Sequence, residues 1–197
     1  MIFPLRKMTT TANWQLLPIT CNARGNKTAG IVCDNKIIKV KLDETKAPFG
    51  AGLWQQKPED TRLNLDLACS ERYLDFLQTV DEWAIDQLAQ RSAEYFKGPK
   101  TKDEIRAIFK PSATPHEKQG ISYSPTMRCK INIAGTNCIK CWHPSKALRN
   151  QPDDWRTCTL TPEVIIKGLY FMAGGVGVVY ECQNIVVVDE GPEECPF

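Results

Sequence analysis

Three stretches of the chain alternate apolar and polar side chains with a period of two, the mark of strands with one buried face. In the first, Ile38, Val40 and Leu42 alternate with Lys39 and Lys41, and Asp34-Asn35 just ahead fits a turn. In the second, Leu63, Leu65 and Leu67 face one way while Arg62, Asn64 and Asp66 face the other. The third, over 125–133, is the clearest: Met127, Cys129, Ile131 and Ile133 oppose Arg128, Lys130 and Asn132. Two apolar, β-prone runs follow at 164–171 and 176–188, with Gly174-Gly175 between them as a turn.

Between the second and third alternating runs the period changes to that of a helix. Tyr73, Leu77, Val80, Ala84 and Leu88 form one apolar stripe over 71–96, Ser70 occupies the N-cap position, and Gly98-Pro99 ends the run. Thr101-Lys-Asp-Glu104 has the capping-box form and starts a short second helix reaching Phe109. Residues 111–120 read as a polar loop. The stretch 47–54, with Pro48, Gly50 and Gly52, reads as a flexible loop carrying Phe49 and Trp54. Residues 135–154 form a long excursion with Lys140, Lys146, two prolines and Trp142. Strands, then helices, then strands predict a mainly β chain of the α+β kind. The architecture expected is an OB-fold antiparallel β-barrel with helices inserted between its third and fourth strands. Residues 1–27, rich in Thr and Asn, read as an N-terminal arm. Residues 28–188 then form one domain, of a length that can bury a full core.

Charge separates a third region. Residues 189–197, DEGPEECPF, hold Asp189, Glu190, Glu193 and Glu194 without a Lys or Arg. Their mutual repulsion, with Gly191 and two prolines, leaves no basis for a helix or strand. The whole chain carries 25 Lys and Arg against 23 Asp and Glu, a net +2. With the tail set aside, Asp plus Glu falls from 23 to 19, so the body is near +6 and the tail near −4. A basic body calls for an anionic partner.

An acidic tail closing on Pro196-Phe197 resembles the C-terminal tip of bacterial single-stranded DNA-binding proteins. An acidic tail with a terminal Phe is also similar to that of the podophage-type phage proteins, whose layout the inserted helices resemble as well. The resemblance implies that Asp189, Glu190, Glu193, Glu194, Pro196 and Phe197 recruit replication enzymes and compete with DNA for a basic groove. A tail too short for its own groove would have to cover a neighbour's, which points to a homodimer.

Single strands require cations for phosphates and flat rings for unstacked bases. Lys39 and Lys41 on one strand and Arg128 and Lys130 on another line such a groove if those strands are neighbours, with Arg62 beside them. Phe49 and Trp54 in the glycine-rich loop, and Trp142 with Lys140 and Lys146 in the later excursion, place rings beside charge. Against this stands Cys138-Ile-Lys-Cys141-Trp-His143, half of a zinc site, which Cys129 or Cys158 would have to complete. The expected function is sequence-independent coating of single-stranded DNA in replication, recombination or repair. A zinc-stabilised interaction or transcription module on Cys138 and Cys141, and a β-barrel adaptor, are the other readings.

No hydrolase elbow, P-loop or dinucleotide fingerprint occurs, and His116 and His143 are the only histidines, so neither an enzyme nor a cofactor is expected. Nine irregularly spaced cysteines fit reduced thiols in a cytoplasmic or nuclear compartment, that of the host cell if the source is viral. No signal-peptide pattern and no membrane-spanning run is present.

Overall fold

The structure is a computed structural model that describes residues 11–22, 25–53 and 55–189, together with the backbone of 2–4. Its strands in chain order begin with β1 (Ile2–Pro4), β2 (Trp14–Cys21), β3 (Lys27–Cys33), β4 (Lys36–Lys41), β5 (Thr45–Lys46), β6 (Ala51–Gly52) and β7 (Arg62–Ala68). Helices α1 (Glu71–Gln90), α2 (Ser92–Tyr95) and α3 (Lys102–Ile108) follow. The chain then returns to strands: β8 (Phe109–Lys110), β9 (Ala113–Lys118), β10 (Ile121–Asn132), β11 (Lys140–Trp142), β12 (Leu148–Arg149), β13 (Cys158–Met172) and β14 (Gly175–Asp189).

Among the described residues fourteen strands belong to one sheet, whose main path runs β1-β4-β3-β13-β14-β10-β7-β6. Its spine is the antiparallel pair β13–β14, fifteen residues on each strand, joined by the two-residue turn Ala173-Gly174. β3, β4 and β5 attach to β13, while β8, β10 and β11 attach to β14. The chain is thus mainly β with helices between strands, as the sequence predicts. The expected barrel is approached at β5, where the Thr45 hydroxyl donates to the Ala68 carbonyl of β7 at 2.7 Å. Among the described residues no backbone ladder joins those two strands into a closed ring.

The alternation in β4, β7 and β10 sorts as predicted. Ile38, Val40, Leu63, Leu65, Leu67, Met127, Cys129 and Ile131 enter the core. β3 and β4 meet at Asp34-Asn35, both at positive φ (48° and 59°), the geometry of a tight hairpin turn. Ser70 caps α1 by accepting from the Tyr73 N–H at 3.4 Å, and Thr101 and Glu104 form the full capping box on α3.

Three sequence expectations change. The long helix stops at Gln90, where the Arg91 backbone leaves helical angles (φ −124°, ψ 30°) and its side chain donates to the Leu16 carbonyl at 2.9 Å and to Glu94, and α2 follows as a single turn. The stretch read as an arm contains β2, paired with β3, with Trp14 and Leu16 in the core and Trp14 edge-on to Trp83 of α1 at 5.3 Å. The stretch read as a polar loop contains β9, which pairs with β10 around Gln119-Gly120, again two positive-φ residues.

Two contacts fix how the layers meet. On the helical side, Asp81 of α1 accepts from the Ser112 N–H at 2.8 Å and from its hydroxyl, which also lies 3.1 Å from the Tyr180 hydroxyl on β14. Burial, partly offset by those bonds to Ser112, pushes the Asp81 carboxyl up to about 6. On the strand side, Gly168 (φ +142°) forms a bulge where β13 exchanges β4 for β3 as its neighbour. A Cβ there would sit 2.1 Å from the Ala29 carbonyl oxygen.

Gly168→Ala should therefore destabilise the fold by roughly 3 kcal/mol or more, through backbone overlap and a disfavoured φ. Urea titration checks this, and an unchanged midpoint refutes it. Asp81→Asn tests the helix anchor. A carboxyl raised in the folded state favours folding when protonated, so that contribution is full below about pH 4 and disappears as pH rises through about 6. The variant should match wild type in melting at pH 4 and exceed it at pH 7, by roughly 1–2 kcal/mol after allowance for partial exposure.

Candidate nucleic-acid interface

Side chains that alternate with the core positions emerge together on the opposite face of the sheet. Strand register gathers them into rows. Lys39 stands opposite Ile165, Ile165 opposite Glu181, Glu181 beside Lys130, and Lys130 opposite Asn64, a row crossing β4, β13, β14, β10 and β7. A second row runs Lys41, Glu163, Asn184 and Lys140 across β4, β13, β14 and β11. Arg128 faces Asp66, and Asn132 faces Arg62, on the β10–β7 pair. Ile165 lies on this charged face at 1% exposure, apart from the main core cluster.

Three carboxylates organise the cations. Glu181, itself only 6% exposed, accepts from Arg62 at 3.3 Å and from Gln183 at 3.0 Å and lies 3.9 Å from the Lys167 ammonium. Asp66 receives both arms of Arg128 at 2.8 Å. Glu163 pairs with Lys39 at 3.6 Å and accepts from Asn184 at 3.0 Å, and Asn184 in turn accepts from the Trp142 indole N–H at 3.3 Å. That chain of contacts ties Trp142 to Lys39 across four strands.

Lys130 donates to Asn64 and has no carboxylate of its own among the described residues. Burial, then the nearby Arg62 and Arg128 cations, pull its pKa below the ordinary lysine range, against a smaller opposing pull from Asp66. A cation held among cations in a partly dehydrated setting is relieved by an incoming anion. Lys41 and Lys140 are exposed and free of ion pairs among the described residues.

Beyond Arg128 the same face continues into an open cleft of about 770 Å³ where Phe49, Ala68, His116, Lys118 and Tyr123 converge. His116 bonds to the Thr126 hydroxyl at 2.8 Å, and its ring meets Phe49 edge-on at 5.0 Å.

Seven of the residues singled out from sequence, Lys39, Lys41, Arg62, Arg128, Lys130, Lys140 and Trp142, thus share one face. The supposition that β4 and β10 are neighbours is corrected: β13 and β14 lie between them, putting the two strands about 14 Å apart. Phe49 lies in the cleft, and Lys146 sits at φ 68° in the turn between β11 and β12. Trp54 lies outside the described residues, as do Glu190, Glu193, Glu194, Pro196 and Phe197. Asp189, read as tail, is the last residue of β14, paired with Cys158, and its carboxylate binds Arg149 at 2.7 Å, which holds its pKa below the ordinary range.

The zinc reading gains no geometry. The period of β11 sends Cys141 into the core, where burial pushes its thiol up to about 11, while Cys138 accepts from Gln151 at 3.2 Å and His143 is exposed. No group of three or more His, Cys, Asp or Glu side chains suited to a metal gathers among the described residues.

Sequence reasoning missed Glu163, Lys167, Glu181, Asn184, His116, Lys118 and Tyr123. The alternation of Ile121 and Tyr123 with Ser122 and Ser124, following Gly120, was the available signal for the hairpin.

No family model matches the chain, and no curated protein matches its sequence. Solved structures do match. The single-stranded DNA-binding protein gp2.5 of bacteriophage T7 aligns with a TM-score of 0.51 at 11% identity, over 80% of this chain and 95% of that one. The single-stranded DNA-binding protein of bacteriophage Enc34 in complex with ssDNA aligns with a TM-score of 0.47 at 7% identity, over 90% and 97%. A second structure of the Enc34 protein gives 0.42 at 10% identity, over 93% and 96%. At 11% identity the likeness to the T7 protein is one of fold, and in fold this chain is similar to a phage single-stranded DNA-binding protein.

Proposed function

We propose that this chain binds single-stranded DNA without regard to sequence, as a coating protein of DNA replication, recombination or repair, on a sheet of the OB type. The observation that carries the reading is that Lys39, Lys41, Arg62, Arg128, Lys130 and Lys140 share one face with Trp142. The similarity in fold to a phage single-stranded DNA-binding protein supports it.

The mechanism follows from the geometry. Phosphates need cations already in place, and Asp66, Glu163 and Glu181 hold Arg128, Lys39 and Arg62, so those three lose little side-chain freedom on binding. Exposed ion pairs are weak, and Arg128, with 60% of its side chain exposed, can accept a phosphate while keeping Asp66 as partner. Contacts to phosphate carry no sequence information, whereas Trp142 presents a ring on which any base can stack. The role is binding rather than catalysis.

The strand-end position of Asp189 leaves residues 190–197 as the acidic segment. Near the cation face, on the same or a neighbouring copy, it competes with DNA through its carboxylates and recruits replication enzymes through Phe197.

Affinity for labelled oligo-dT should fall steeply with salt. The triple variant Lys41→Ala, Arg128→Ala, Lys140→Ala should bind more weakly and lose about 0.7 from the log–log salt slope per phosphate contact removed. Asp66→Asn, which frees Arg128, should bind more tightly. A triple variant with the wild-type slope would place the interface elsewhere.

Deleting 190–197 should raise oligo-dT affinity, most at low salt where screening is weak. Replacing Phe197 by Ala should leave DNA affinity unchanged and abolish capture of a replication enzyme by the full chain. Equal affinities of the deleted and full chains at low salt would remove the competition.

A further inference from the structure

We propose that the cleft between Phe49 and the β9–β10 hairpin is a stacking pocket for one unstacked nucleobase of the bound strand, with Lys118 beside it for a phosphate. The proposal rests on the DNA-binding reading and adds a site to it.

Exposure is the first argument. Phe49 is 58% exposed, Ile121 58% and Tyr123 53%, three of the large apolar side chains that the fold leaves in water, and all three belong to the β5–β6 turn or the hairpin. Of these, Phe49 and Tyr123 line the cleft, and holding two rings in water side by side is unfavourable unless something covers them.

The ring arrangement is the second. Phe49 comes from the β5–β6 turn and Tyr123 from β10, so two separate elements supply rings to one cleft. Their only ring contact in the cleft, among the described residues, is Phe49 edge-on to His116. The ring faces of Phe49 and Tyr123 are not stacked on each other, and a planar heterocycle is the ligand that stacks on such faces. His116 stands opposite Tyr123 in the hairpin register and is held by Thr126, which keeps the cleft wall in place.

Continuity is the third and names the occupant. Thr126 leads along β10 to Arg128, two residues on, and then to Lys130, at about 3.3 Å per residue. Ala68, which lines the cleft, follows Asn64 and Asp66 on the same face of β7. A strand whose phosphates lie along Arg128, Lys130 and Arg62 therefore has its next base at the cleft. Glu117 also lines the cleft, and Lys118 beside it offsets that charge for a polyanion. The size of the cleft lies within the range of small-molecule sites.

The test uses the full chain, labelled oligo-dT and a labelled abasic oligonucleotide of equal length. Phe49→Ala and Tyr123→Ala should each raise the Kd for oligo-dT between about 5- and 150-fold, the loss of one base–ring stack. Tyr123→Phe should retain affinity. Salt slope and thermal midpoint should stay at wild-type values, because no phosphate contact and no core side chain is removed. On the abasic oligonucleotide, wild type and the Ala variants should bind alike. Ala variants that bind oligo-dT as wild type does would overturn the pocket while leaving DNA binding intact. Ala variants weakened equally on both oligonucleotides would overturn base stacking. Ring variants that keep oligo-dT but lose a labelled peptide of residues 189–197 would assign the cleft to a chain end and overturn the proposal. A wild-type chain that binds neither oligonucleotide overturns the underlying reading, and this one with it.

Discussion

The pairing of β13 with β14 is the constraint on which the other elements depend. Fifteen residues on each strand, joined by a two-residue turn, form the one ladder that every other group of strands uses as a template. One edge receives β3, β4 and β5, and the other receives β8, β10 and β11. A slip of one residue in that ladder would exchange the two faces of one strand relative to the other. Either Leu160, Val164 and Ile166 of β13 would leave the core and Glu163 enter it, or Tyr180, Cys182 and Val187 of β14 would leave and Glu181 enter. Placing a carboxylate in the core without partners costs several kcal/mol, so the burial pattern itself enforces the register.

The charged face is a by-product of that register and also the seat of the proposed function. Glu181 is nearly buried, and a buried carboxylate persists only with cations around it. Arg62 and Lys167 supply them from β7 and from the β13 bulge. Glu163 does the same for Lys39, and Asp66 for Arg128. The carboxylates therefore fix the positions of the cations, while Lys41, Lys130 and Lys140 remain without an acidic partner among the described residues. Structural ion pairing and readiness for an anion coexist on one surface because the cations outnumber the carboxylates there.

The edge of the sheet obeys different rules from its centre. β9 pairs on one side only and carries Thr114, Pro115, His116, Glu117 and Lys118, with both faces largely in water. No burial selects its side chains, so the hairpin is free to carry rings and charge in an order that a core strand could not tolerate.

By itself, the sequence determined the elements whose signal is local. The period of two over 38–42, 62–67 and 125–133 assigned inside and outside, because one face of each strand meets the core. Ser70 and the Thr101–Glu104 box marked helix starts, since capping is settled within one turn of chain. Tertiary structure decided whatever depends on partners distant in sequence. β9 has no period to read, because neither of its faces is buried. Trp14 and Leu16 belong to the core only because β2 finds β3 and Trp83 arrives on α1. Lys39 and Lys130 share a face although two strands separate them, and Glu163 becomes the counter-charge of Lys39 from a third part of the chain. Local pattern gives each strand its two faces, and only long-range register, set by burial of the whole sheet, decides which side chains stand side by side.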